Sequence, residues 1–371
     1  MDRRGFLKSV LRVGAAAITS SVLKACAPLT GVDFEPTAGE SGSTIPPLPT
    51  ETISEALPIA TITPLPPQED QVTQVAFIKT DDRSRGVQMA MDLLDFNTQN
   101  GKSVFLKPNF NSADDAPGST HNDTLTTMIR SLKDRGADRI TIGDRSGMGD
   151  TRQVMARKEI FRMADELGCD TVVFDELDAD GWMKMQVDGG HWRNGFAVAR
   201  PVLEADGVIQ TCCLKTHRYG GHFTLSLKNS VGLVAKTVPG EGHDYMRELH
   251  GSAHQRAMIA EINTAYQPDF VLMDGMEAFV KGGPARGTLV QPQLILASTD
   301  RVALDAVGVA ILRAYGTTNE VSRGLIFEQE QIARAMALGL GATGPDQIEL
   351  ITPDEESEQA AIPIRELLLQ G

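Results

Sequence analysis

Cysteine is scarce in this chain: four residues in 371, too few and too irregularly placed to form a disulfide framework. No Cys-x-x-Cys occurs, so neither an iron-sulfur cluster nor a thioredoxin-type centre is expected. Basic residues are also in deficit. With 35 Lys and Arg against 49 Asp and Glu, a net charge of -14 and a pI near 5.0, the composition lacks the cationic surface that phosphate backbones require, and no nucleic-acid partner is expected. The apolar stretch from Val10 to Leu23 is too short to make a good spanning helix. What remains is the composition of a globular protein, long enough for one large or two ordinary domains.

The first 26 residues carry a basic start, the apolar stretch and then Leu23-Lys24-Ala25-Cys26, the layout of a targeting segment rather than of a fold. Arg3-Arg4-Gly5-Phe6-Leu7-Lys8 resembles a twin-arginine export signal, with Asp2 where Ser or Thr is usual. The end resembles a lipobox, although Lys24 is unusual there; the resemblance implies lipidation at Cys26. Residues 27–71 hold nine of the nineteen prolines, one aromatic residue and no Lys or Arg. Such a segment buries too little apolar area to offset its ordering entropy and reads as a disordered tether. The expectation is an exported body, anchored on the outer face of the cytoplasmic membrane through its N-terminal lipid only.

From Val72 short apolar runs alternate with helical periodicity, which predicts an α/β layered domain over 72–353 with a mostly parallel or mixed sheet flanked by helices. Residues 354–371 read as a tail with a short helix. Expected strands include Val75–Ile78, Val104–Leu106, Ile140–Ile142, Val208–Ile209, Phe270–Met273 and Leu294–Leu296. Leu125, Met128, Ile129 and Leu132 mark a helix closed by Gly136, and another runs from Arg301 to Arg313 with Thr299 or Asp300 as cap. Polar residues follow several strands, and ligand crevices in open α/β sheets lie beyond the strands' carboxyl ends.

Five of the seven histidines fall between His217 and His254, and His and Lys are the side chains most suited to holding anions, metals and protons near neutral pH. Lys107-Pro108-Asn109, Gly143-Asp144, Leu214-Lys215-Thr216-His217, Leu227-Lys228-Asn229 with Gly232-Leu233, Asp274-Gly275, and Asp300 with Asp305 occur in an order that resembles the domain of unknown function 362 family. The resemblance covers roughly residues 75–315. It implies α/β architecture and supplies no reaction.

On the residues themselves, Lys215 and His217 lie two apart at a strand end and share a face if the backbone is extended. His217, Lys215 and Lys228 are the candidate catalytic groups, with His217 as general acid/base. Lys107, Asn109, Asn229, Gly143 and Arg145 are the candidate substrate contacts. His222, Asp144 and Asp274 are candidate ligands for an optional divalent metal, without a compact ligand signature such as His-Glu-x-x-His. His250 and His254 have helical-pair spacing, yet Ser252 with Gln255 forms a capping-box pattern that would start a helix at Ser252 and leave His250 outside it. Cys212-Cys213 reads as two packed small residues, and Trp182 and Trp192 as structural. The leading expectation is an enzyme acting on a small carboxylate or phosphate. The alternatives are a tethered anion-binding protein without catalysis and an envelope interaction module; substrate, cofactor and oligomeric state stay open.

Overall fold

Every residue of Val75-Ala76-Phe77-Ile78 is apolar and fully buried, the pattern of a strand covered on both faces. The computed structural model describes residues 59–67, 71–97 and 99–370. In chain order the strands are β1 (Ile59–Ile62), β2 (Thr73–Lys79), β3 (Ser103–Lys107), β4 (Arg139–Asp144), β5 (Asp170–Val173), β6 (Trp182–Val187), β7 (Phe196–Ala199), β8 (Gly207–His217), β9 (His222–Thr224), β10 (Phe270–Gly282), β11 (Gly287–Val290), β12 (Leu294–Ser298) and β13 (Ile348–Ile351). The main sheet has the order β13-β2-β12-β10-β8-β3-β4-β5, with β9 paired to β8 and β11 to β10. Along that path only the pairings of β12 are antiparallel, so β12 alone runs against the other seven strands. A small second sheet joins β1, β6 and β7.

Alternation along the strands sorts side chains onto two faces. Ala76, Ile78, Leu106, Ile142 and Leu272 pack with the helices Arg83–Leu93, Asn122–Asp134 and Ile160–Leu167. Phe77, Phe105, Leu214, Met273 and Leu296 pack with Gln255–Ile262, Arg301–Ala314 and Glu355–Gln370. This is the expected α/β domain, built in three layers. Asp300 is the cap of the helix Arg301–Ala314, accepting from the Val302 and Ala303 amides at 2.8 and 3.0 Å. Gly136, just past the helix Asn122–Asp134, takes a positive φ of 84°, a conformation glycine adopts without a Cβ penalty.

Three boundaries differ from the sequence reading. β8 is eleven residues long and contains Lys215 and His217 rather than ending before them. Ile59–Ile62 pairs in parallel with β6, so the end of the stretch read as tether belongs to the body. The segment after Pro353 is the sixteen-residue helix Glu355–Gln370, which buries Ala361, Ile364 and Leu368; apolar residues at that spacing need a partner surface, and the body supplies it. The segment read as an export signal, Cys26 and tether residues 27–58 and 68–70 lie outside the described residues. Among the described residues no helix is long and apolar enough to cross a membrane.

The connectivity creates a crevice. From β3 the chain proceeds to β4 on one side, whereas β8 leads to its other neighbour, β10. Adjacent parallel strands whose onward connections diverge leave a gap beyond their carboxyl ends, where ligands bind in open α/β sheets. Lys107 ends β3 and His217 ends β8.

Candidate functional site

A cavity of about 540 Å³ opens at that gap, a size that suits a small molecule. Lys107 at the end of β3 with Asn109 beyond it, Asp144 at the end of β4 with Arg145 beyond it, His217 from β8, Thr224 from β9, and Lys228 and Asn229 from the short helix Ser226–Asn229 all line it.

The floor is a saturated hydrogen-bond network. The Lys107 ammonium pairs with Asp144 Oδ1 at 2.8 Å and donates to Pro108 O at 2.6 Å and Asn229 Oδ1 at 3.2 Å. Asp144 also accepts from the Phe110 and Arg145 amides, both at 2.7 Å. Burial draws both members of this pair toward neutrality, lowering the Lys107 pKa and raising that of Asp144, and each partner opposes that drift. Charged or neutral, the pair contributes no net charge. Arg145 donates to Val234 O at 2.7 Å, Ser146 O at 3.2 Å and Val231 O at 2.5 Å, so its guanidinium ties the wall together rather than reaching into the cavity. Asn229 accepts from Asn109 Nδ2 at 3.0 Å and donates to Thr211 O at 2.9 Å.

Lys228 differs from these groups. It is 7 % exposed, and its ammonium has no hydrogen-bond or carboxylate partner among the described residues. Burial first, then Arg145 and Lys215, pull its pKa down from 10.5 to about 8. Beside it is His217: a Cβ on Gly221 would lie 2.6 Å from Lys228 Cε and 3.0 Å from His217 Nδ1, so only a glycine lets the β8–β9 turn close over both. Burial, followed by Lys228 and Lys215, holds the His217 imidazole far below its usual range, and the ring is neutral. Among the described residues its Nδ1 has no hydrogen-bond partner, and the same is true of two further buried polar atoms on cavity-lining residues, Asn111 Nδ2 and Thr224 Oγ1. Buried polar groups are nearly always paired in the absence of a functional demand.

Not every residue proposed from sequence arrives here. Lys215 is fully buried beneath the cavity, where it donates to Gly118 O at 2.5 Å and Asn109 Oδ1 at 3.1 Å; it positions Asn109 and does not line the pocket. Gly143 is a packing glycine: a Cβ there would fall 2.6 Å from Phe105 Cζ. The metal triad does not assemble. Asp274 is held by Arg83 at 2.9 Å and Thr124 at 2.7 Å outside the cavity, His222 interacts with Arg256, Glu320 and Glu330, and Asp144 is saturated by Lys107 and two amides. No cluster of three or more metal-ligating side chains occurs among the described residues. His250 was set aside in the sequence reading, yet it lines the cavity from the helix Tyr245–Gly251, whose last turn ends at Ser252; the next helix begins at Gln255 with His254 as its cap. The residues read as a capping box bridge two helices instead. His254 stacks at 4.5 Å on His191, away from the site. Cys212 and Cys213 are buried and their thiols are pushed up by burial, as befits core residues, and Trp182 and Trp192 are buried too.

Sequence reasoning missed Asn111, Thr224 and Gly232. A Cβ at Gly232 would lie 2.5 Å from Asp144 Oδ1 and 2.9 Å from Lys107 Nζ, so the chain can cross the ion pair only there as glycine. The Gly232-Leu233 element was a signal for this position; Asn111 and Thr224 belong to no motif.

Residues 104–310, more than half of the chain, match the family described as Domain of unknown function (DUF362). The chain is also similar to the thylakoid-associated protein sll1697 of Synechocystis sp., with 26 % identity over 222 residues. That alignment covers 57 % of this chain and 64 % of the relative, so the chain spans just under two thirds of the relative's length.

Proposed function

This chain belongs to the DUF362 family, whose description leaves the reaction open, and we propose from the cavity itself that the protein is an enzyme that binds a small carboxylate or phosphate there and uses His217 for a proton-transfer step. The observation that carries this reading is the Lys228 ammonium, on a buried side chain lining the cavity and unpaired among the described residues. An uncompensated buried cation is strongly disfavoured unless an anion completes it. Thr224 Oγ1 and Asn111 Nδ2 supply unpartnered donors for the anion's oxygens. His217 is then coupled to occupancy. The same cation that depresses the imidazole, Lys228, is offset once an anion sits against it, so ligand binding makes His217 a better base where a proton must be removed.

Lys228 sets the pH dependence. Binding requires the protonated amine, so affinity for acetate and for inorganic phosphate, measured by titration calorimetry, is expected to hold below pH 8 and decline as the pH passes about 8. Lys228→Arg, whose guanidinium stays charged, should keep binding to higher pH. Neither anion producing heat at pH 7 would refute the reading.

Location belongs to the same proposal. The twin-arginine-like and lipobox-like sequences at residues 3–8 and 23–26 support export and anchoring through Cys26, and the name of the Synechocystis relative attaches that protein to the thylakoid. Mass spectrometry of the mature protein should find its N-terminus at Cys26 carrying acyl chains; a mature protein retaining residues 1–25 would overturn the assignment.

A further inference from the structure

Charge accounting within the cavity narrows the ligand. Among the described lining residues the cations are Lys107, Arg145, Lys228 and Lys236. Lys107 is neutralised by Asp144 and all three of its N–H bonds are used. Arg145 spends its donors on three backbone carbonyls and the Met246 sulfur at 3.1 Å. Lys236 pairs with Asp175 at 2.7 Å. Lys228 is therefore the one lining lysine or arginine without a hydrogen-bond partner among the described residues, and the lining also contains the carboxylate of Asp244, which disfavours a second negative charge. The apolar part of the wall is Phe110, Met148, Tyr219, Val231, Met246 and Pro284. Phe110 and Val231 are buried, whereas Met148 and Tyr219 are exposed.

We infer that the ligand is an amphipathic monocarboxylate, with one anionic head on Lys228, Thr224 and Asn111 and an uncharged apolar body against Phe110, Val231 and Met246. This deepens the anion-binding proposal and rests on it. Dianions suit the site poorly: a phosphate monoester or a dicarboxylate brings a second charge that finds no second cation with unengaged donors and must be desolvated, a cost well above that of burying a methylene. The volume is ample for a head plus a body of several carbons.

Titration calorimetry at pH 7 on the full chain, with acetate, hexanoate, octanoate, octanedioate, octyl phosphate and inorganic phosphate, tests this. Affinity is expected to rise about two- to fourfold per added methylene, roughly a hundredfold or more from acetate to octanoate, with octanedioate and octyl phosphate at least tenfold weaker than octanoate. Lys228→Met should weaken octanoate at least tenfold, and Met148→Ser, at an exposed rim position, should weaken octanoate more than acetate. If no anion binds, this inference falls together with the proposed function. If phosphate, octyl phosphate or octanedioate binds more tightly than octanoate, or affinity is flat with chain length, the monocarboxylate inference fails while the anion site stands. Octanoate binding that is unchanged in Lys228→Met would show an apolar pocket without a head-group site and overturn the inference as well.

Discussion

Lys228→Met is expected to give a protein that is more stable than the wild type and binds anions at least tenfold more weakly. A residue retained only for the fold shows the opposite sign, because most core substitutions destabilise. In the ligand-free protein Lys228 is a buried side chain whose ammonium has no partner among the described residues, and depression of its pKa from 10.5 to about 8 corresponds to a penalty on the order of 3 kcal/mol. Methionine keeps the shape of the stem, fills the same space and removes the charge. Urea denaturation at pH 7 should therefore place the variant about 1–3 kcal/mol above the wild type.

The sign can be followed with pH. Below about 8 both folded and unfolded wild-type chains hold the Lys228 proton, and the penalty is fully present. Between about 8 and 10.5 the unfolded chain holds the extra proton, so the unfolding free energy of the wild type rises with pH and the advantage of the variant shrinks. Saturating ligand should reverse the order at pH 7, since an anion stabilises only the chain that binds it. A variant less stable than the wild type at pH 7 would mean that Lys228 serves the fold, contrary to the assignment.

Asp305→Ala is expected to lose both stability and the site. Asp305 lies more than a turn inside the helix Arg301–Ala314, fully buried, where a carboxylate has no place on packing grounds alone. Its two oxygens accept from the Ser226 amide at 2.7 Å, the Ser226 hydroxyl at 2.5 Å and the Leu227 amide at 3.1 Å. Burial pushes its pKa up to about 7, and the donors from Ser226 and Leu227 pull against that. These bonds fix the start of the short helix Ser226–Asn229, which presents Lys228 and Asn229 to the cavity. Alanine would strand the Ser226 and Leu227 amides at roughly 1–3 kcal/mol each, while the Ser226 hydroxyl keeps Arg301 O at 3.2 Å as an acceptor, and the net loss in denaturant unfolding should be about 2–5 kcal/mol. Anion affinity should fall at least tenfold in the fraction that stays folded. Wild-type affinity in a destabilised Asp305→Ala protein would show that this anchor does not position Lys228.

Much of the fold could be read in the chain because the apolar pattern is local. Val75–Ile78, Phe270–Met273 and Leu294–Leu296 are strands because their apolar runs require cover on both faces, and the helix Asn122–Asp134 follows from its 3.6-residue spacing. Edges were less readable. Ile59–Ile62 sits among prolines, and only the β6 edge makes it a strand. Lys215 and His217 belong to β8 because β9 and β10 pair with that end of the strand, and nothing near them in sequence supplies those partners.

At the site, residue type was readable and roles were not. Sequence singled out Lys107, Asn109, Asp144, Arg145, His217, Lys228 and Asn229, and the fold gathers all seven at one cavity. Which lysine is free depends on partners far along the chain: Asp144 for Lys107, Gly118 for Lys215 and, among the described residues, none for Lys228. Asp274 and His222 carry the same functional groups as true ligands, but Arg83 and Thr124 occupy the first, and the second lies outside the cavity.

The chain by itself thus determined a layered α/β body and the stock of cations, amides and one imidazole from which a site is built, since strand and helix periodicity and residue chemistry are properties of short stretches. Only the tertiary structure decided that the Lys228 ammonium finds no partner among the described residues beside a neutral His217, because whether a charge is compensated is settled by which distant groups the sheet brings within hydrogen-bonding distance.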